Sequence, residues 1–264
     1  MHGREGPGRE SRVLSVKLGG SVITDKEKPF TLRLGLVEQV AGALAEAAEA
    51  TGSRYMIVLG GGSYGHVAAH ELRRGSAPVP EALSAITAAM LELAQAVADV
   101  LSMKGLRPVL YPPHAFCQPR GLRPGCAWRH VLEAFHAGAT PVLYGDAYPC
   151  SSGWCIVSGD ELAVEAACAI GASHVLYVSD VDGIYGVGGK LLERVTLNDV
   201  ARLASLSSRQ SGYDVTGGLA RKIEALRENW CSTLRGVWVV NGLFPERVKA
   251  LIMGERVPAT LVLP

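Results

Sequence analysis

The chain has 264 residues, 48% hydrophobic and 19% charged, with a formal net charge of +1. That length suffices for one large α/β domain, and the composition argues against disorder and against a broad electrostatic grip on nucleic acid. Residues 1–12 (MHGREGPGRESR) are polar and lack the apolar core of a signal peptide, so they read as a flexible leader before a single domain over 13–264, in the cytoplasm. Strands are expected at Val13–Lys17, Tyr55–Leu59, Pro108–Tyr111, Pro141–Tyr144, His174–Val178 and Val237–Val240. Between them Leu36, Val37, Val40, Ala41 and Leu44 recur at helical spacing within Leu34–Ala50, as do Ile86, Met90, Leu93, Val97 and Leu101. This alternation is the rhythm of a mainly parallel sheet covered by helices. Ser84, Thr87, Glu92 and Gln95 interrupt the most apolar helix, so it does not read as a membrane span.

Further along, Pro149 and the turn Ser151-Ser152-Gly153 make Ala147–Val157 a hairpin at an edge or over a site, and a second hairpin is expected at Ile184–Leu192. Leu203–Gly218 is polar and turn-rich without periodicity, the pattern of a long functional loop. The six cysteines contain no CxxC pair, so buried thiols are preferred to a zinc site, with a Cys150–Cys155 disulfide as a weaker alternative.

Four motifs carry chemistry. Lys17-Leu18-Gly19-Gly20-Ser21 ends the first strand with a glycine pair that lets backbone N–H groups approach an anion, beside a lysine charge. Its lysine precedes the glycines, so it is not the GxxxxGK[ST] phosphate loop. Gly60-Gly61-Gly62-Ser63-Tyr64-Gly65-His66 ends the second strand and leads into the helical pattern Val67–Arg74, a second anion cradle. Ser158-Gly159-Asp160 opens the helical stretch Glu161–Ile170, where an isolated Asp160 reads first as an N-cap. Thr216-Gly217-Gly218-Leu219-Ala220-Arg221-Lys222 places Lys222 on the first turns of a helix behind another glycine loop. Two glycine loops at strand ends imply neighbouring phosphate sites at the carboxyl edge of the sheet, one for a nucleotide and one for a phosphorylated acceptor.

In this order KLGGS, GGGSYGH, SGDELA, SDVDGIYG and TGGLARK resemble the amino-acid kinase superfamily from Val13 onward. The histidine closing GGGSYGH, with Ser21-Val22-Ile23-Thr24-Asp25-Lys26, is most similar to isopentenyl phosphate kinases; fosfomycin kinases share a similar loop. The resemblance implies a three-layer αβα fold, a homodimer, ATP with Mg2+ as donor, and isopentenyl phosphate as acceptor. It also implies site residues. Lys17, Lys26 and Lys222 are the phosphate-binding lysines, and Asp160 is the carboxylate that orients lysines. Gly61, Gly65, His66 and Gly159 match the acceptor side. Lys17, Leu18, Gly19, Gly20, Ser21, Gly62, Asp180, Gly218 and Lys222 match the nucleotide side. No protein metal ligand is assigned, and the only partners expected are the small phosphate acceptor and a second copy, with neither nucleic acid nor membrane.

Phosphoryl transfer asks a protein mainly for in-line positioning and cancellation of charge. An acceptor phosphate supplies its own ionised oxygen, so no catalytic base is assigned. The imidazole of His66 can donate to that phosphate. An apolar acceptor tail needs a dry wall, for which Leu83, Ile86, Met90 and Leu93 with Tyr64 and Val67 are candidates, though ordinary core is an equal reading. Two alternatives stand beside this one: a kinase of the same fold acting on fosfomycin or another small phosphate or phosphonate, and a nucleotide-sensing module without catalysis.

Overall fold

A computed structural model describes residues 13–65, 78–120, 123–151, 153–186, 188–207, 222–223 and 227–264. Twelve strands lie among them: β1 Val13–Leu18, β2 Arg54–Leu59, β3 Pro108–Leu110, β4 Cys117–Arg120, β5 Arg123–Cys126, β6 Thr140–Tyr144, β7 Asp146–Cys150, β8 Gly153–Val157, β9 His174–Ser179, β10 Arg194–Thr196, β11 Gly236–Asn241 and β12 Ala259–Leu263. Eight of them form one sheet in the order β10-β12-β11-β9-β1-β2-β6-β3, while β4–β5 and β7–β8 are separate antiparallel hairpins. Every pairing in the large sheet is parallel except β11 with β12.

The central strands VLSVKL, RYMIVL and HVLYVS are almost continuously apolar because helices cover both faces of a parallel sheet. One face packs Leu14, Val16, Ile57, Leu59 and Tyr144 against α2 (Leu34–Thr51), α3 (Val79–Met103) and α8 (Pro245–Ile252). The other packs Met56, Val58, Leu143 and Tyr177 against α5 (Arg129–His136), α6 (Gly159–Ala169) and α7 (Leu197–Ser207). The fold is therefore a three-layer αβα sandwich. α3 is long and apolar enough to cross a membrane by length and composition, but half of that window is buried, as in a core helix. Two one-turn helices, α1 (Gly20–Ile23) and α4 (Pro113–Phe116), and a 3-10 turn at Arg227–Asn229 are also present.

All six expected strands are present, with β3 at the edge of the sheet, and so are both expected hairpins: Leu192 N–H donates to Ile184 O and Gly186 N–H to Lys190 O around the second. The loop expected over Leu203–Gly218 is corrected at its start. Residues 203–207 are the last turn and a half of α7; 208–218 lie outside the described residues, as do Val67–Arg74 and the leader. The buried-thiol expectation is overturned. Cys117–Cys126 joins β4 to β5, Cys150–Cys155 closes the β7–β8 hairpin, and Cys168–Cys231 ties α6 to the segment before β11. Folding brings the paired Cα atoms to 4.0–6.0 Å, a proximity that sequence spacing does not reveal for partners 63 residues apart.

Candidate active site

The carboxyl edge of the sheet is stepped by glycines. Gly19 N–H donates to Val178 O (2.8 Å), Gly60 N–H to Leu18 O (2.9 Å), Gly145 N–H to Leu59 O (3.1 Å) and Gly242 N–H to Ser179 O (2.7 Å). Each bond extends the parallel ladder one residue beyond the strand and brings neighbouring chain ends close together. Side chains do not fit there: a Cβ on Gly20 would collide with the backbone nitrogen of Gly62, and one on Gly159 would stand 2.7 Å from Leu59 O. Gly62 also has φ of +49°, a left-handed conformation that glycine adopts without penalty.

Lys17 and Asp160 meet at this edge. Lys17 is the fifth residue of β1, Asp160 lies in the first turn of α6, and their Nζ and Oδ1 atoms form a 2.6 Å ion pair with side chains only 9% and 16% exposed. The cap of α6 is Ser158 rather than Asp160. Ser158 Oγ accepts Asp160 N–H (3.1 Å), while Glu161 Oε2 accepts Ser158 N–H (3.4 Å), a reciprocal capping box that leaves the Asp160 carboxylate to reach β1. Tyr177 completes the niche: its hydroxyl donates to Asp160 O (2.7 Å), its ring lies 5.3 Å from Lys17 Nζ, and burial pushes its phenol far above the ordinary value.

On the β9 side, Ser21 Oγ donates to Asp180 Oδ1 and Lys26 Nζ to Asp180 Oδ2, both at 2.8 Å. Burial raises the Asp180 carboxyl, but the hydrogen bonds from Lys26 and Ser21 and the Lys26 charge together outweigh it and leave it below the usual carboxylate value. Beside it, Asp182 Oδ1 accepts Arg247 Nη1 (2.7 Å) and Asn241 Nδ2 (2.9 Å), so the start of α8 braces the loop after β9.

On the β2 side, Gly65 leaves room for Met90, since a Cβ there would stand 2.8 Å from Met90 Sδ, and Gly159 lets the start of α6 approach the end of β2. Ile86, Met90, Leu93 and Tyr64 are buried in the main core, and Leu83 is half-buried against it. His66, Val67 and Gly218 lie outside the described residues; Lys222 is exposed, next to the buried Ile223. The structure thus brings Lys17, Leu18, Gly19, Gly20, Ser21, Lys26, Gly61, Gly62, Gly65, Gly159, Asp160 and Asp180 to one edge of the sheet.

Sequence reasoning named Thr24 only as part of a motif, without a role, and missed Asp146 and His114. Thr24 Oγ1 donates to Gly20 O (2.6 Å) and accepts Ser63 N–H (2.9 Å), knitting the two glycine loops together. Asp146 roots the β7–β8 hairpin. Its side chain accepts Ala147 N–H (2.8 Å) and His114 N–H (3.2 Å) and lies 2.6 Å from His114 Nδ1, and burial raises its carboxyl despite these contacts. The only sequence signal for Asp146 was its place beside Gly145 at a strand end.

The amino acid kinase family model matches residues 13–230, a span containing Lys17, Asp160, Asp180 and Lys222. The chain belongs to the amino acid kinase family. Within this family it is 30% identical over 241 residues to the isopentenyl phosphate kinase of Thermoplasma acidophilum, covering 89% of this chain and 94% of that protein. It is 32% identical to the isopentenyl phosphate kinase of Haloferax volcanii, covering 95% and 98%. Among solved structures, an isopentenyl phosphate kinase substrate complex superimposes with a TM-score of 0.71 at 26% identity, over 95% of this chain and 99% of that one.

Proposed function

We infer that this amino acid kinase transfers the γ-phosphoryl of ATP to isopentenyl phosphate, making the diphosphate used in mevalonate-type isoprenoid biosynthesis. The observation that carries the reading is a nearly full-length likeness to isopentenyl phosphate kinases in a chain whose buried Lys17–Asp160 pair stands at a glycine-stepped sheet edge. An oxygen of the acceptor phosphate attacks the γ-phosphorus, the bond to the β,γ-bridging oxygen breaks, and ADP leaves with that electron pair. The acceptor oxygen is already ionised near neutral pH, so the chain has no proton to remove.

Catalysis then consists of positioning and charge cancellation. Lys17, held in place by Asp160, faces the transferring group; Lys26 and Lys222 neutralise the phosphate oxygens around it. Leu18, Gly19, Gly20, Ser21, Gly62, Asp180 and Gly218 complete the nucleotide side, and Gly61, Gly65, His66 and Gly159 hold the acceptor. Mg2+ supplies further neutralisation when bound. The described residues gather no group of three His, Cys, Asp or Glu, and Asp180 is engaged by Ser21 and Lys26. That donor set suits an ion carried on ATP's own phosphates and water.

The enzyme works as a homodimer in the cytoplasm, a compartment where its three disulfides persist only if they resist reduction by the thiol pool. Support for the dimer is that Val109 on edge strand β3 and Leu91 on α3, which packs on β3, are exposed apolar side chains that a second copy would cover. The deciding experiment is an acceptor panel with Mg-ATP containing isopentenyl phosphate, fosfomycin and simple alkyl phosphates. Isopentenyl phosphate should show the highest kcat/KM. A higher value for fosfomycin would move the chain to the phosphonate reading, and tight ATP binding with no acceptor turned over would make it a nucleotide sensor.

A further inference from the structure

Lys26 stands on a closed strap between α1 and α2. Thr24 pairs with Leu32 in an antiparallel bridge, Asp25 N–H donates to Thr31 O (2.9 Å), and Arg33 N–H donates to Ile23 O (2.8 Å), so the segment leaves the site and returns to it. The Lys26 side chain is 61% exposed, and its ammonium is paired with Asp180. A four-carbon stem with one such contact is poorly fixed, because lysine carries large rotamer entropy. Its placement must come from the strap itself.

The strap is fastened on its far side to the acceptor loop. Phe30 N–H donates to Ser63 O and Thr31 N–H to Ser63 Oγ, both at 3.4 Å, and the Phe30 ring meets the Tyr64 ring edge to face, with centroids 5.7 Å apart and planes at 89°. Ser63 and Tyr64 sit between Gly62 and Gly65. Tyr64 is 5% exposed and anchored in the main core, whereas Phe30 is 44% exposed and adds little to it.

Phe30 is also the only non-glycine among the described residues with positive φ, at +50°. A bulky side chain there is strained where glycine would not be, and strain of this kind persists only where the surroundings hold it. The feature that distinguishes Phe30 from glycine is its ring, and that ring touches the acceptor loop in a geometry favoured by aromatic quadrupoles.

We propose that Phe30 is a positioning residue: latched on Tyr64, it holds the Lys26 strap against the acceptor loop, so that the Lys26 ammonium is aimed between the nucleotide side and the acceptor side. The proposal deepens the kinase reading and rests on it for the identity of the transferred group. The strap spans the two sides of the site, since one end of its lysine meets Asp180 after β9 and its Phe30 meets Tyr64 after β2.

The test is steady-state kinetics of Phe30→Gly, Phe30→Tyr, Lys26→Ala and the Phe30→Gly/Lys26→Ala double variant, using whichever panel acceptor the wild type turns over. Phe30→Gly relieves the backbone while deleting the ring. It is expected to lower kcat about tenfold or more while KM for ATP stays within about twofold, because misplacing a catalytic group by an ångström is that costly. Phe30→Tyr, which keeps the ring edge, restores most of kcat. On the Lys26→Ala background, Phe30→Gly should change kcat by less than about twofold, since residues that act through one another are not additive. Wild-type kcat in Phe30→Gly, or losses that multiply in the double variant, overturns the proposal.

A second measurement needs no acceptor and so separates this proposal from the kinase reading. Acetylation of Lys26 by acetic anhydride, read by peptide mass, should be about threefold faster in Phe30→Gly than in wild type as the latch is lost. An unchanged Lys26 labelling rate overturns the latch whatever the enzyme phosphorylates.

Discussion

Replacing Cys168 and Cys231 together by serine is expected to cost more stability than opening either hairpin bridge. The Cys168–Cys231 bridge closes a loop of 63 residues, whereas Cys117–Cys126 closes 9 and Cys150–Cys155 closes 5. If the gain comes from restricting the unfolded chain, it grows with the logarithm of loop length, to about 4 kcal/mol for the long loop and about 2 to 3 kcal/mol for the short ones. In a chain of this size about 4 kcal/mol corresponds to a fall in Tm of roughly 8–16 °C. The bridge has a local role too, because it fixes the far end of α6, whose first turn carries Asp160, to the chain that follows Lys222. The assay is thermal unfolding under non-reducing conditions for the three paired Cys→Ser variants, alongside turnover at a temperature where all are folded. A Tm for the Cys168/Cys231 variant within about 3 °C of wild type, or a smaller fall than for the Cys150/Cys155 variant, would refute the chain-entropy argument.

Lys17→Ala removes the ion-pair partner of a largely buried carboxylate and should cost on the order of 3 kcal/mol together with at least about a hundredfold in kcat; adding Asp160→Asn should recover stability in a melting curve but not turnover. Gly20→Ala forces a methyl group against the backbone of Gly62, so activity should collapse in a standard assay while ordinary helix positions such as Gly42, where a Cβ meets nothing within 4 Å, accept alanine. His174 is held at a pKa of about 4, by burial first and the Arg235 charge second, against an ordinary value near 6.5. Between those values the unfolded chain binds a proton that the native one does not, so stability rises with pH across that window and is lost as pH falls through it, by up to about 3 kcal/mol. A Tm–pH profile should flatten in His174→Gln, with kcat unchanged because His174 starts β9 at the edge opposite the site. His114→Ala takes away a contact of the buried Asp146 and should lower Tm by an amount corresponding to about 1 to 3 kcal/mol.

The motifs were legible because their chemistry restricts residue choice. Gly19, Gly20 and Gly62 stand where backbones cross too closely for a side chain, and a sheet buried on both faces demands runs such as RYMIVL. Shorter elements escaped notice for equally physical reasons. β10 has three residues, β12 enters the sheet between β10 and β11 by running antiparallel to β11, and Pro119 and Pro124 obscure the β4–β5 hairpin.

Local sequence therefore determined the alternation of strands and helices and the strand-end glycines, since these follow from periodicity and sterics over a few neighbours, while the three-layer order and the roles of the charged groups came from the resemblance of the motifs. Only the tertiary structure decided that Ser158 caps α6 so that Asp160 can reach Lys17, that six scattered cysteines form three bridges, and that a strained Phe30 meets Tyr64. Each of these depends on distances between residues from separate elements, which are set by how the chain packs rather than by any local pattern.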